Sequence, residues 1–355
     1  MSMAAVRLSG RLSDRLRSRR WRLVGLALLA GLVWAAHAAW SALDSQAASS
    51  FRLQPRLLGL AFLVQTPGWL LAVDAWRRIL GATHPDAGVT ADPLGAIGLA
   101  EHLQGHSLTA LAQVLPGSIW APLTRVAYYR DRGIGALRTG TAMLLEMTVL
   151  GLAGLLVFLA ALPFSIGGSP AALPWLLAAG VLSLFGLHPR VFGRILALLA
   201  RALRMQPAPA APRLGLLARL LIQELLVLGL SGVALILVIR ALLPSAADGA
   251  TVLAAWGLGV AIASLLAWLP ATALLKDGGM VALLTPLCLP AAGGQGLRAA
   301  ALALGLILAW RLWTLSVLLV WAAAATVLVR HGGRVLRLPA GDDTVEVEGV
   351  GDGRG

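Results

Sequence analysis

Charge is scarce in this chain. Of its 355 residues only 13% are Asp, Glu, Lys or Arg, while 58% are hydrophobic. With a mean hydropathy of +0.82, too little polar surface is left to coat a water-soluble fold of this size, which excludes a soluble globular protein. Cysteine is scarcer still. Cys288 stands alone, which excludes an intramolecular disulfide framework and a cysteine-cluster metal site. Lysine occurs once, as Lys276, so the formal net charge of +13 comes from arginine. Short alternating segments, the mark of a transmembrane β-barrel, are missing too. What the chain has instead is a series of apolar runs of about twenty residues, the length a helix needs to cross a bilayer. The composition predicts an all-α, polytopic membrane protein.

A basic balance can signal nucleic acid, but these arginines flank hydrophobic runs. That placement follows the positive-inside rule and suits anionic lipid headgroups, so no nucleic-acid partner is implied. Abundant Ala, Gly and Arg with one Lys point to a GC-rich bacterial genome, and hence to a multi-pass protein of the bacterial inner membrane. Seven spans are expected, over about 21–43, 57–80, 139–162, 171–187, 214–243, 252–269 and 298–328. The Arg-rich arm 1–20 and the run after it mimic a signal peptide. The run is longer than a signal core and many more follow, so it reads as an uncleaved helix with a cytoplasmic N-terminus. The Pro-rich stretch 206–212 separates a first membrane half, 21–205, from a second, 213–329, and 330–355 reads as a polar, disordered tail.

Two segments interrupt the apolar pattern. One, 93–117, carries Glu101, His102, Gln104, His106 and Gln113; the other, 270–290, carries Lys276, Asp277, Gly278, Gly279 and several prolines. Each predicts a broken or re-entrant helix. Discontinuous segments at corresponding places in two halves point to a transporter binding site. Between them, 120–132 reads as an amphipathic interfacial helix with Trp120, Tyr128 and Tyr129 at headgroup level. The run 57–80 reads as broken near Pro67-Gly68, with Asp74 and Arg78 spaced for an ion pair.

Ionisable residues also stand inside the long runs: Glu146, Glu224 and Arg311. A charge in hydrocarbon costs about 3 kcal/mol on insertion scales, so it normally faces a protein-lined cavity or an opposite charge. Glu146 is therefore expected to meet Arg125 or another cation. His102 and His106, four apart, share a helix face beside Glu101. With no H-E-x-x-H pattern they read as a polar face, and neither a metal nor another cofactor is expected.

The stretch 113–146 reads QVLPGSIWAPLTRVAYYRDRGIGALRTGTAMLLE. It resembles the Y-x-P-G-x-x-W-x-x-x-x-R … G-V … A … E signature of the transmembrane domain of lysylphosphatidylglycerol synthases and its stand-alone relatives. Pro116, Gly117, Trp120, Arg125, Gly133 and Glu146 fall on the signature positions. Residues 187–190, L-H-P-R, look like the family's cytoplasmic helix start. Residues 270–284 are similar to its P-G-G-x-G-x-R-E motif, with Ala271, Thr272 and Leu274 replacing glycines and Lys276-Asp277 replacing Arg-Glu. Arg311-Leu312 matches the R-L of its final helix. The resemblance covers roughly 20–330.

The resemblance implies a flippase-like protein that moves a polar phospholipid or lipid-linked headgroup between leaflets. The soluble aminoacyl-transfer domain of the family's synthases has no counterpart after the last apolar run, so an enzyme is not expected. Candidate headgroup-binding residues are Glu101, His106, Pro116, Gly117, Trp120, Arg125, Glu146, Glu224, Lys276, Asp277, Arg298 and Arg311. The cations would hold a phosphate. The carboxylates would neutralise them when the site is empty, or receive a cationic headgroup. Membrane lipids, anionic or lipid-linked, are the expected partners, with a pathway enzyme or a second copy of the chain as others. Two further readings stay open. One is an accessory subunit of a lipid-modifying pathway. The other is an integral-membrane transferase, for which no nucleophile–base triad, D-x-D pair or Gly-rich phosphate loop is visible.

Overall fold

The computed structural model describes residues 53–83, 97–113, 120–165, 188–202, 213–244, 248–267 and 272–335, with isolated positions at 174, 180–181 and 185. The basic arm, the expected span 21–43, most of 171–187, the linker 206–212, and Pro116 and Gly117 lie outside them. The helices are α1 (Pro55–Ala82), α2 (Leu99–Ala112), α3 (Trp120–Arg130), α4 (Ala136–Ala161), α5 (Pro189–Ala202), α6 (Leu214–Leu242), α7 (Gly249–Leu265), α8 (Thr272–Cys288) and α9 (Gly296–Val335). No strand occurs among the described residues. Four helices are long and apolar enough to cross a membrane: α1, α4 with its short 3-10 extension, α6, and α9 as far as His331. The apolar α7 is shorter. This is an all-helical membrane-protein architecture.

Two expected breaks are absent. α1 continues through Pro67, and α8 continues through Pro286. Proline removes one backbone hydrogen bond from the helix interior. In both helices the preceding threonine is bonded back to a carbonyl four residues earlier: Thr66 Oγ1 donates to the Phe62 carbonyl at 2.9 Å and Thr285 Oγ1 to that of Val281 at 2.7 Å. So 270–290 holds one continuous helix over Thr272–Cys288 despite Gly278-Gly279, and the polar segment 93–117 holds one over Leu99–Ala112. The expected tail also begins late, since 330–335 belongs to α9.

α1 packs along α6, α4 against α7, α8 between α7 and α9, and α2 against α9 and α3. The α4–α7 contact is the closest. A Cβ on Gly257 would stand 2.5 Å from the Phe158 nitrogen and 2.8 Å from the Gly154 oxygen; one on Gly154 would stand 2.8 Å from the Ala261 nitrogen. Small residues let backbones touch where no hydrophobic driving force separates helix from lipid. One apolar core joins α6 to α7, α8 and α9 through Leu235, Ile239, Met280, Leu302 and Trp310. The other joins α1, α3, α4 and α6 through Trp76, Leu80, Tyr129, Leu145 and Leu220. Trp256 of α7 packs against both.

α3 corrects a further expectation. It does not present Tyr129 to headgroups: Ala121, Arg125 and Tyr129, one turn apart, form a buried face. Inside the protein their polar ends find partners, which removes the reason to lie at the interface. α3 ends in a tight reversal at Gly133, whose φ is +83°. The Gly133 amide donates to the Arg130 carbonyl and the Ile134 amide to that of Tyr129, both at 3.0 Å. This Schellman closure needs the left-handed backbone that glycine adopts without strain.

Candidate functional site

Arg125 is the hub of a polar cluster built by five helices, and only 6% of it is exposed. Its Nη1 pairs with Glu146 Oε2 on α4. Nη2 lies 3.2 Å from His106 Nδ1 on α2. An arginine only donates, so that nitrogen accepts and the His106 ring proton sits on Nε2. The guanidinium carbon lies 4.0 Å from the centroid of the Trp76 ring on α1. A cation over an indole face is attracted by its quadrupole. Trp69, two turns earlier on α1, meets His106 edge-on with 4.6 Å between centroids. Nε of Arg125 is buried and has no hydrogen-bond partner among the described residues. The pairing of Glu146 with Arg125 is the one the sequence predicts from a carboxylate inside an apolar run.

Glu224, on α6, completes the cluster. It is 4% exposed, holds no hydrogen bond among the described residues, and interacts electrostatically with both Glu146 and Arg125. Its neighbour Gln223 turns to α1, donating through Nε2 to the Leu71 carbonyl at 2.9 Å and to Asp74 Oδ2 at 3.1 Å. Asp74 also accepts from Arg78 Nε at 2.6 Å, which is the expected i,i+4 pair.

Below Arg125 on the same face, Trp76 Nε1 donates to the Tyr129 hydroxyl at 2.7 Å. That hydroxyl stands 2.9 Å from His102 Nδ1. The hydroxyl thus links the Trp76 and His102 rings. Nε2 of His102 is buried without a partner among the described residues. At the rim, Glu101 does local structural work. Its Oε2 accepts the Gly98 amide at 3.0 Å, capping α2, and its Oε1 lies 3.4 Å from Arg132 Nε. The Tyr128 hydroxyl reaches the Glu101 carbonyl at 2.7 Å and Gln104 Oε1 at 3.0 Å, and Gln104 Nε2 reaches Thr326 Oγ1 on α9 at 3.3 Å.

The remaining candidates form a second group. Asp277 Oδ2 accepts from Arg311 Nη2 at 2.5 Å, tying α8 to α9, while Asp277 Oδ1 is buried without a partner among the described residues. Lys276 Nζ stands 5.4 Å from the Trp256 ring centroid on α7. Trp120 opens α3 and is half-buried; Arg298 lies in the first turn of α9. The structure thus brings Glu146, Arg125, His106 and Glu224 together, and Lys276, Asp277 and Arg311 together.

Sequence reading left Trp69 and Trp76 out of the candidates, took His102 only as part of a polar face, and placed Tyr129 at headgroup level. Trp76 stands beside Arg77-Arg78 at the end of a span, and its partner Tyr129 is 53 residues away. No group of three His, Cys, Asp or Glu able to hold a metal ion occurs among the described residues.

Chemically, the first cluster offers a guanidinium over an indole ring, one carboxylate partner, a neutral imidazole, and donor capacity left over among the described residues. Such a fork matches a phosphate. Comparison with protein-family profiles, with curated proteins and with solved structures finds no match to this chain.

Proposed function

We propose that this chain is a flippase-like transporter that moves a phosphate-bearing lipid headgroup between leaflets. The observation that carries the reading is Arg125, a cation buried within a bundle of apolar helices, with one carboxylate partner and an unpartnered Nε–H among the described residues. A headgroup crossing hydrocarbon must exchange water for protein dipoles and counter-charges, because an unsatisfied polar group there costs several kcal/mol. Arg125 can supply that exchange by trading Glu146 for a phosphate. The Lys276–Asp277–Arg311 group is a second station of the same kind. The resemblance to the membrane domain of lysylphosphatidylglycerol synthases supports this reading through Arg125, Glu146 and Gly133. In it the protein lies in a bacterial inner membrane with its N-terminus cytoplasmic and crosses seven times. α2 and α8 enter without crossing: the 14 residues of α2 span about 21 Å against a hydrocarbon core of about 30 Å, and α8, as long as α7, carries Lys276 and Asp277 in its interior.

The test is reconstitution. The purified chain is placed in liposomes with a headgroup-labelled phosphatidylglycerol, and label in the inner leaflet is followed by its loss to a membrane-impermeant quencher. Protein-containing liposomes should lose the inner label faster than empty ones, and Arg125→Lys should slow the loss by roughly ten-fold or more, equivalent to about 1.4 kcal/mol. A folded, monodisperse protein that moves label no faster than empty liposomes would sink the proposal.

A further inference from the structure

α5 stands apart from both polar groups. Its sequence, PRVFGRILALLARA, holds three arginines, and every other position is Pro, Gly or apolar. At about 100° per residue, Arg190, Arg194 and Arg201 fall within an arc of about 40° and are strung along about 17 Å of one helix face. All three are exposed and hold no side-chain hydrogen bond or ion pair among the described residues. Leu198, about 40° beyond that arc, is 63% exposed. Among the described helices α5 packs chiefly against α4.

The chain enters α5 from the apolar run 171–187. The two large apolar side chains described in that run, Val181 and Phe185, are exposed, as lipid-facing residues are. Phe185 stacks on His188, with 6.3 Å between centroids, one residue before α5 begins. The helix has no place within hydrocarbon. It is about 21 Å long against a core of about 30 Å, and three unpaired arginines oppose insertion. A basic amphipathic helix at the end of an apolar run lies in the membrane interface, where its arginines meet headgroups and its apolar residues reach the acyl boundary.

We propose that the Arg190–Arg194–Arg201 face of α5 is a docking surface for the anionic headgroups of the surrounding membrane. Guanidiniums offer forked donors to lipid phosphates, and the negative surface of a cytoplasmic leaflet attracts each one. Leu198 decides between a bilayer and an acidic protein. A solvated acidic segment would leave the leucine in water, whereas a bilayer buries it beside the arginines. Three basic residues acting independently favour the docked helix roughly 150-fold on an anionic over a neutral surface. Salt must erode that factor, because the charges are exposed. The proposal does not rest on headgroup transport, since α5 gives no residue to the Arg125 or Asp277 groups.

The test uses the full chain in liposomes. Cys288 is fully buried, so Leu198→Cys takes a maleimide-linked fluorophore and the parent chain is the unlabelled control. Quenching by lipids brominated on their acyl chains is read in phosphatidylcholine alone and in equal parts phosphatidylcholine and phosphatidylglycerol. Quenching should be strong with phosphatidylglycerol and weaken as salt rises. It should drop to the phosphatidylcholine level when Arg190→Gln, Arg194→Gln and Arg201→Gln are combined. The corresponding triple lysine chain keeps the charge and should retain most of the effect. Where the glutamine chain does not fold, the salt titration and the lysine chain decide. Equal quenching in the two liposome types would make α5 an apolar anchor only and overturn the proposal. Quenching that depends on phosphatidylglycerol but not on salt or on the arginines overturns it as well. So does shielding of the fluorophore by soluble polyglutamate in phosphatidylcholine liposomes, which would assign the face to an acidic protein.

Discussion

Gly257→Ala should loosen the α4–α7 pair more than any comparable single methyl in the bundle. The new Cβ would lie 2.5 Å from the Phe158 nitrogen, 2.8 Å from the Gly154 oxygen and 3.0 Å from the Phe158 Cα. All three are backbone atoms, so no rotamer change relieves them. Restoring an ordinary 3.4 Å contact means parting the helices by about 0.9 Å (3.4 − 2.5). A gap of that size forfeits a quarter to a half of each dispersion well along the contact, and overpacking typically costs about 1–3 kcal/mol. The backbone clash places Gly257→Ala at the upper end, about 2–3 kcal/mol, or roughly 30- to 150-fold in the folded fraction. Gly229→Ala in α6 is the control, because nothing lies within 4 Å of its Cβ. It should leave stability unchanged or raise it by up to about 1 kcal/mol, the helix propensity gained over glycine. Equilibrium denaturation in mixed micelles, followed by tryptophan fluorescence, measures both. If Gly257→Ala and Gly229→Ala unfold at the same midpoint, glycine contact is not what holds α4 to α7.

Three more outcomes follow from the polar contacts. Tyr129→Phe leaves Trp76 Nε1–H and His102 Nδ1 buried without their shared partner, so it should destabilise by about 1–3 kcal/mol in the same assay; an unchanged midpoint counts against the relay. Glu146→Gln keeps shape but removes the counter-ion of Arg125, so transport in liposomes should fall roughly ten-fold, about 1.4 kcal/mol, with the yield of folded protein nearly unchanged. A matching loss of folded protein would instead make the pair structural. A double-mutant cycle on Arg125–Glu146, whose side chains are 7% and 15% exposed, should give a larger coupling than one on Arg311–Asp277, at 40% and 24%; the reverse order would contradict the burial argument.

What the sequence made legible were features settled within one helix or by a strong physical cost. Apolar length alone located α4, α6 and α9 to within a few residues, except at the C-terminus of α9. Glu146 demanded a cation, and Arg125 supplies it. Spacing predicted Asp74 with Arg78. The misreadings have a common cause. A proline reads as a break, yet the Thr-Pro pairs at 66–67 and 285–286 sit within continuous helices. An amphipathic helix reads as interfacial, yet periodicity gives the same pattern whether the polar face of α3 meets headgroups or a buried network. Only the positions of Trp76, His102 and Glu146 on other helices decide between the two, and those contacts span 53, 27 and 21 residues from Tyr129 or Arg125.

The same contacts indicate which parts of the cluster can rearrange. α4 is locked to α7 by backbone contact at Gly154 and Gly257. A packed interface of that kind is bistable at best and does not deform gradually. Glu146 is therefore carried on the rigid side. α2 and α3 are fastened to their neighbours by a different class of contact: the Tyr128 hydroxyl to Glu101 and Gln104, Gln104 to Thr326 on α9, and Arg125 to Glu146 and His106. Hydrogen bonds exchange partners with water or a headgroup at a net cost of about 1 kcal/mol each. α6 stands between, presenting Gln223 to α1 and, from the adjacent position about 100° around the helix, Glu224 to the Arg125 cluster. If transport parts Arg125 from Glu146, as proposed above, the hydrogen-bonded α2–α3 side is the one expected to move.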